Sequence, residues 1–168
     1  ADAAAKKQGG LDLLVCGVGD FFETPVSKMN LESWEELFTS NLRTAWLCCR
    51  EALPLLRRRK GSIIVFGGTT TRTVRANPRY AAYAMAKTAL TVFAKSLAQA
   101  EAPRGVRVNM INPGVIRTAS NARRKAPRIP AGRLGKPSDV AGAVVWLAGD
   151  AASYVNGAVV DVGGGLFV

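Results

Sequence analysis

The chain contains no histidine, and it has only three cysteines. The lack of histidine excludes a histidine acid or base and a histidine-ligated metal ion. Cys16, Cys48 and Cys49 are odd in number and two are adjacent, which fits neither a disulfide framework nor a zinc-ligand spacing. We therefore predict that no metal is bound and that the protein works in a reducing cytoplasm.

Long hydrophobic runs are also absent. No apolar stretch reaches the roughly 18–20 residues that a membrane span needs, and residues 1–7 lack the apolar core of a signal peptide. We therefore expect no membrane association. The 168 residues, 48% of them hydrophobic, with 17 glycines, fit one α/β domain with a sizeable core.

Acidic residues are scarce: 12 stand against 23 lysines and arginines, a formal net charge of +11. A nucleic-acid-binding protein has such a charge, but the chain has neither a zinc finger nor a basic groove motif with interleaved aromatics. A solvated basic surface explains the charge most simply. An anionic ligand, such as a phosphorylated cofactor or an acyl carrier, is the main alternative.

Hydrophobic periodicity predicts alternating strands and helices. We expect strands at 11–16, 62–66, 106–111 and 159–162, and helices at about 31–58, 80–101 and 137–148. Asn30 or Ser27 would cap the first helix and Ser138 the last. The alternation predicts a parallel sheet with helices on both faces.

Tyr83 and Lys87 are the leading candidates for proton chemistry. They are four residues apart in a predicted helix, so they share one helix face. An ammonium beside a phenol favours the phenolate, which predicts a lowered tyrosine pKa and a group able to exchange a proton. The alternative is a chance pair in which the tyrosine packs and the lysine stem covers apolar surface.

Five motifs in register extend this pair over essentially the whole chain. They are Leu11–Gly19, Asn41-Leu42-Arg43-Thr44, Tyr83-x-x-x-Lys87, Asn109-x-x-x-Pro113-Gly114-x-x-x-Thr118, and Ala131–Pro137 with Asp161–Gly164. Together they resemble the short-chain dehydrogenase/reductase family, and within it the 3-oxoacyl-acyl-carrier-protein reductases. The resemblance implies the C-terminal part of a Rossmann-type, doubly wound α/β fold.

The resemblance also implies an NAD(P)-dependent oxidoreductase that transfers hydride between nicotinamide and a carbonyl or secondary alcohol. Tyr83 would be the general acid or base, and Lys87 would lower its pKa and bond the nicotinamide ribose. Asn41 would hold a water of the proton relay. Because Asn41 falls on the apolar stripe of its helix, its amide needs partners; the alternative is an amide satisfied by backbone carbonyls.

Cofactor contacts follow from the same resemblance. They would come from Gly17, Gly19, Tyr83, Lys87, Pro113, Gly114, Ile116 and Thr118. Pro113-Gly114 follows a predicted strand, at the sheet edge where such folds bind ligands, although an ordinary turn would explain the pair equally well. The choice between NAD and NADP cannot be read from these residues.

The position of the family's active-site serine is ambiguous. Counting from the strand at 62–66 gives Gly68, and counting back about 13 residues from Tyr83 gives Thr70. Thr69 lies between them, and we take it as the candidate because its hydroxyl could orient a carbonyl as serine does.

Two further departures from the family pattern matter. Cys16-Gly17-Val18-Gly19 stands where the family has Asn-Asn-Ala-Gly, and no Thr-Gly-x-x-x-Gly-x-Gly turn occurs to receive a pyrophosphate. We therefore expect residues 1–168 to form an incomplete single domain, with the strand at 11–16 exposed at an edge and with poor cofactor binding by the chain alone. A non-catalytic structural or regulatory relative is the alternative function.

Partners are predicted from the same sources. The resemblance implies a small carbonyl or alcohol substrate. It also implies a homodimer or homotetramer formed through the helices at 31–58 and 80–101, with Trp46 and Phe93 at the contact.

Overall fold

A parallel four-stranded sheet forms the centre of the molecule. The computed structural model describes residues 9–68, 76–118 and 129–166. The strands are β1 (Leu13–Cys16), β2 (Ser62–Phe66), β3 (Arg107–Pro113) and β4 (Val159–Val162), and they lie in the order β1-β2-β3-β4. All three pairings are parallel, so the carboxyl ends of the strands lie at the same end of the sheet.

Side chains of β2 alternate between two apolar cores, as the period of a strand requires. Ile63 and Val65 belong to one core and Ile64 to the other, and all three are fully buried. A strand buried on both faces reads as a continuous apolar run. The predicted sheet with helices on both faces is confirmed.

The first long helical region has three parts. Helix α1 (Leu31–Phe38) is followed by a π-helical turn (Thr39–Arg43) and then by α2 (Thr44–Arg59). The predicted cap is confirmed, since Asn30 Oδ1 accepts from the Ser33 backbone N–H at 2.9 Å. The predicted uninterrupted helix is wrong only at the π turn, which no local sequence signal marks.

Helices α3 (Ala81–Glu101) and α2 cover one face of the sheet, and α4 (Pro137–Ala148) covers the other. Predicted and observed bounds of these elements agree within two residues. The predicted Ser138 cap is wrong. Instead, the Asp139 carboxylate reaches back and accepts from the Lys136 N–H at 2.8 Å, because an acidic side chain at the third helical position can satisfy the entering backbone.

An ion pair between a buried carboxylate and a partly exposed guanidinium joins α2 to α3. Both oxygens of the Glu101 carboxylate accept from the Arg57 guanidinium at 2.7 Å, and Arg104 lies 3.6 Å away. Glu101 is 4% exposed, so these cations hold the pKa of its carboxyl below the usual range.

The strand β1 lies at an edge of the sheet, as predicted, and Val15 on it is 42% exposed. Within the described residues, no helix is both long and apolar enough to cross a membrane.

Candidate active site

Tyr83 and Lys87 lie in the first two turns of α3, beside the carboxyl end of β2. The Lys87 ammonium donates to the Phe66 carbonyl at 2.8 Å, and its Nζ lies 5.8 Å from the centre of the Tyr83 ring. Lys87 is 6% exposed. The last peptide of a core strand therefore fixes the ammonium, so its position does not depend on the solvent.

Burial controls the proton affinities of this pair. It lowers the pKa of Lys87 to about 8, because the charged ammonium is poorly solvated. It raises the pKa of Tyr83, and neighbouring Tyr80 raises it further. The predicted lowering of the Tyr83 pKa by Lys87 is therefore wrong here, since burial disfavours the phenolate and Lys87, with its own pKa lowered, is neutral at the pH where the phenol ionises.

Asn41 lies in the π turn, where its side chain points into the interior. Its Nδ2 donates to the carbonyls of Asp20 at 2.8 Å and Leu37 at 3.0 Å, and to Ser40 Oγ at 3.2 Å. Its Oδ1 is buried and has no hydrogen-bond partner within the described residues. Backbone carbonyls thus satisfy only the donor half of this amide, and the acceptor half is left for another group.

Gly19 lies beside both Asn41 and Lys87. A Cβ added to Gly19 would overlap Asn41 Oδ1 and would lie 3.4 Å from Lys87 Nζ. Glycine at this position therefore lets the loop after β1 approach both polar groups. Gly17 differs, since a Cβ there would make only ordinary contacts with the Phe66 ring, at 3.8 Å.

Gly68 faces the hydroxyl of Tyr83. A Cβ added at Gly68 would lie 3.0 Å from Tyr83 Oη. Position 68, reached by counting from the strand, thus borders the phenol, and the glycine offers no hydroxyl of its own. Thr69 and Thr70 lie outside the described residues, so the role of Thr69 stays a prediction.

The other predicted cofactor residues lie at the carboxyl end of β3. A Cβ at Gly114 would be 2.7 Å from the Gly163 Cα, so close backbone packing by itself requires a glycine there. Ile116 forms an isolated parallel bridge with Gly135. Gly114 and Ile116 line a groove of about 320 Å³. Contact of Pro113, Gly114, Ile116 and Thr118 with a cofactor stays a prediction.

Two aromatic residues that sequence reasoning missed also lie beside Tyr83. The Phe21 ring stands edge-on to the Tyr83 ring, with 4.9 Å between centroids, and 5.7 Å from the Tyr80 ring. One sequence signal could have indicated Phe21. It lies two residues after Gly19, in the loop whose motif already predicted Gly17 and Gly19 as site residues.

A second, larger groove lies at the other end of the sheet, where the strands begin. It measures about 670 Å³, and Ser62, Arg107 and Tyr154 are among its lining residues. Ser62 and Arg107 begin β2 and β3, so this groove is separated from Tyr83 by the length of the strands.

Comparison with known proteins gives a consistent family. The family described as enoyl-(acyl carrier protein) reductase matches residues 1–167. The 3beta-hydroxysteroid dehydrogenase 1 of Eggerthella lenta is 34% identical over 98% of this chain and 67% of its own length. The 3-oxoacyl-[acyl-carrier-protein] reductase of Vibrio cholerae is also 34% identical, over 95% of this chain and 68% of its own length.

Solved structures agree with these matches. Acetoin dehydrogenase from Enterobacter cloacae superposes with a TM-score of 0.87 at 30% identity, over 99% of this chain and 68% of that one. A putative gluconate dehydrogenase from Agrobacterium tumefaciens gives 0.88 at 31% identity, over 99% and 69%. The chain thus spans about two thirds of the length of these relatives. The chain belongs to the short-chain dehydrogenase/reductase family of oxidoreductases.

Proposed function

We propose that the protein reduces a carbonyl, or oxidises the corresponding secondary alcohol, with Tyr83 as the general acid or base. The observation that carries the proposal is the position of the Tyr83 hydroxyl. It lies against the glycine that follows β2, with the buried Lys87 ammonium on the same helix face. A ligand at the carboxyl end of the strands would meet this phenol first.

The groups at the site fit the nicotinamide and ribose end of a dinucleotide. Lys87 uses one bond to Phe66, which leaves N–H donors for a ribose hydroxyl, and Gly19 brings the loop after β1 close to the same ammonium. When bound, this cofactor supplies hydride to the carbonyl carbon or accepts it from the alcohol. The 168 residues do not distinguish NAD from NADP.

Tyr83 performs the proton transfer. In reduction its Oη donates a hydrogen bond to the substrate oxygen and gives up the proton as the carbonyl carbon becomes an alcohol carbon. Burial keeps the phenol protonated at neutral pH, since it raises the pKa of Tyr83. The group is therefore in the correct state for reduction, while oxidation requires the phenolate and gains from higher pH.

Lys87 and Asn41 would restore the proton. With a pKa of about 8, Lys87 can lose and regain a proton near neutral pH. The buried Oδ1 of Asn41, which has no partner in the part of the chain that the structure describes, supports a bound water that would link Lys87 to solvent. This path returns one proton to Tyr83 per carbonyl reduced, so the charge on the site is the same before and after turnover.

Tyr83→Phe tests the proposal, because it removes the exchangeable proton and keeps the ring. We expect kcat to fall at least about 100-fold, with unchanged circular dichroism, for the protein in the full length that its gene encodes. Tyr154→Phe, a fully exposed tyrosine at the other end of the sheet, is the matched control. NADH or NADPH oxidation with small ketones gives the rate, and full activity of Tyr83→Phe would end the proposal.

We also propose a cytoplasmic location, since the three cysteines fit no disulfide framework, and assembly as a homodimer or homotetramer. The support for assembly is an open apolar groove of about 380 Å³ between α1, the π turn, α2 and α3, lined in part by Phe38, Leu42, Trp46 and Phe93. Apolar surface of this kind favours association. Light scattering coupled to size exclusion would test the oligomeric state, with Trp46→Glu expected to produce monomer.

The non-catalytic alternative gains no support from the curated relatives, which are dehydrogenases and reductases.

A further inference from the structure

A large apolar ring lies exposed beside the phenol that does the chemistry. Phe21 is 58% exposed, yet its ring meets the Tyr83 ring edge-on at a centroid distance of 4.9 Å. Exposing this much aromatic surface is unfavourable in water. A ring with this exposure, in contact with the proposed proton donor, is available to a ligand.

The ring is also held in place. Thr24, three residues after Phe21, forms a parallel bridge with Tyr80, and Glu23 pairs with Arg79 at 2.7 Å. The loop that carries Phe21 is thus joined to the start of α3 by both backbone and side-chain contacts. A pre-organised aromatic surface loses little conformational freedom when a ligand binds.

We propose that Phe21 and Tyr80 form the specificity surface of the site and bind an uncharged, flat apolar group, such as an aromatic ring, attached to the substrate carbonyl. The inference rests on the proposed function of Tyr83. The substrate oxygen would lie at the Tyr83 hydroxyl, and the apolar group would lie against Phe21.

The paired charges and the ring geometry are consistent with this class of substrate. Glu23 and Arg79 neutralise one another beside the rings, so no unpaired charge of that pair would attract or repel the bound group. Edge-to-face contact is already the arrangement of the existing rings, and an added arene extends it with favourable quadrupole contacts.

The test compares two ketones in three proteins. Acetophenone carries an aromatic ring on the carbonyl, and 2-butanone carries only small alkyl groups. Wild type, Phe21→Ala and the matched control Tyr154→Ala are assayed for kcat/KM with both. We expect the acetophenone-to-butanone ratio to fall about tenfold in Phe21→Ala, as loss of one well-packed aromatic contact predicts, and to stay within about twofold in the control.

Two kinetic results would overturn the inference. An unchanged ratio would mean that Phe21 does not contact the substrate. An equal fall with both ketones would mean that Phe21 only positions the Tyr83 ring.

A binding measurement separates this inference from the proposed function. Saturation-transfer NMR with acetophenone should give ring-proton signals with wild type and Tyr154→Ala, and at most half of them with Phe21→Ala. These signals report binding directly, so they decide the inference even when turnover of both ketones is too slow to measure, whereas the proposed function is decided by Tyr83→Phe. Equal signals from all three proteins would overturn it, whatever the kinetics.

Discussion

Replacing Lys87 by methionine should make the protein more stable than wild type at neutral pH, by a margin that shrinks as the pH rises. Lys87 is 6% exposed and its pKa is about 8, against 10.5 for an exposed lysine. Methionine has a similar length and no charge, so it removes the desolvation cost and fills the same space.

The magnitude follows from proton linkage. Because the folded pKa lies below the unfolded one, the unfolded state binds more protons between about pH 8 and 10.5, and stability rises with pH there. The cost of the buried ammonium is therefore fully present below pH 8, at about 3 kcal/mol, and falls to about 1.4 kcal/mol at pH 9.5. Loss of the bond to the Phe66 carbonyl offsets about 1 kcal/mol.

We thus expect Lys87→Met to exceed wild type by about 2 kcal/mol at pH 7 and by less than about 0.5 kcal/mol at pH 9.5. Urea unfolding followed by tryptophan fluorescence measures both values. Lys95→Met, on the exposed part of the same helix, is the control and should stay within about 0.5 kcal/mol of wild type.

The reasoning would be refuted by a Lys87→Met protein that is less stable than wild type at pH 7. It would be refuted equally by a difference that is the same at both pH values, since only a titrating ammonium makes the difference depend on pH. If Lys87→Met shows the expected pH-dependent gain, the buried ammonium destabilises the fold. A role in proton exchange would explain why it is present, because such a role needs a lysine with a lowered pKa.

Two further stability changes follow from buried contacts. Glu101→Gln removes the charge from the pair that joins α2 to α3, and should lower the unfolding free energy by about 2 kcal/mol at pH 7. This loss should shrink in acid, because a lowered carboxyl pKa stabilises only above it, while Glu51→Gln, at an exposed pair, should change little. Gly19→Ala should cost about 1–3 kcal/mol by displacing Asn41, whereas Gly17→Ala should be nearly neutral; equal effects in urea unfolding would contradict the proposed convergence at Gly19.

Local sequence patterns predicted the strands and helices well, because backbone geometry sets the side-chain period of a strand and that of a helix. The apolar run at β2 indicates a strand buried on both faces, and the 3–4 spacing of apolar residues in α3 leaves one solution for which helix face is buried. The predictions were wrong where the outcome depended on contacts between side chains and backbone, as at the start of α4. Ser138 and Asp139 are both acceptable near a helix start, and the side chain that reached the Lys136 N–H decided between them.

The candidate site divides in the same way. Helix geometry by itself put Tyr83 and Lys87 on one face, and family motifs in register brought in Asn41 and the loop at Gly19. Neither source predicted that Phe21 would contact Tyr83, because 62 positions of chain separate them and the contact forms only when the loop after β1 packs against the start of α3.

The sequence by itself determined which side chains are available for chemistry: a phenol and an ammonium four residues apart, and no histidine to replace them. Only the tertiary structure decided their proton affinities, raising the pKa of Tyr83 and lowering that of Lys87. The physical reason is that spacing along a helix is local, whereas desolvation depends on every element packed around a group. Burial at the carboxyl end of β2 therefore reversed the direction of the Tyr83 pKa shift that the pair alone predicted.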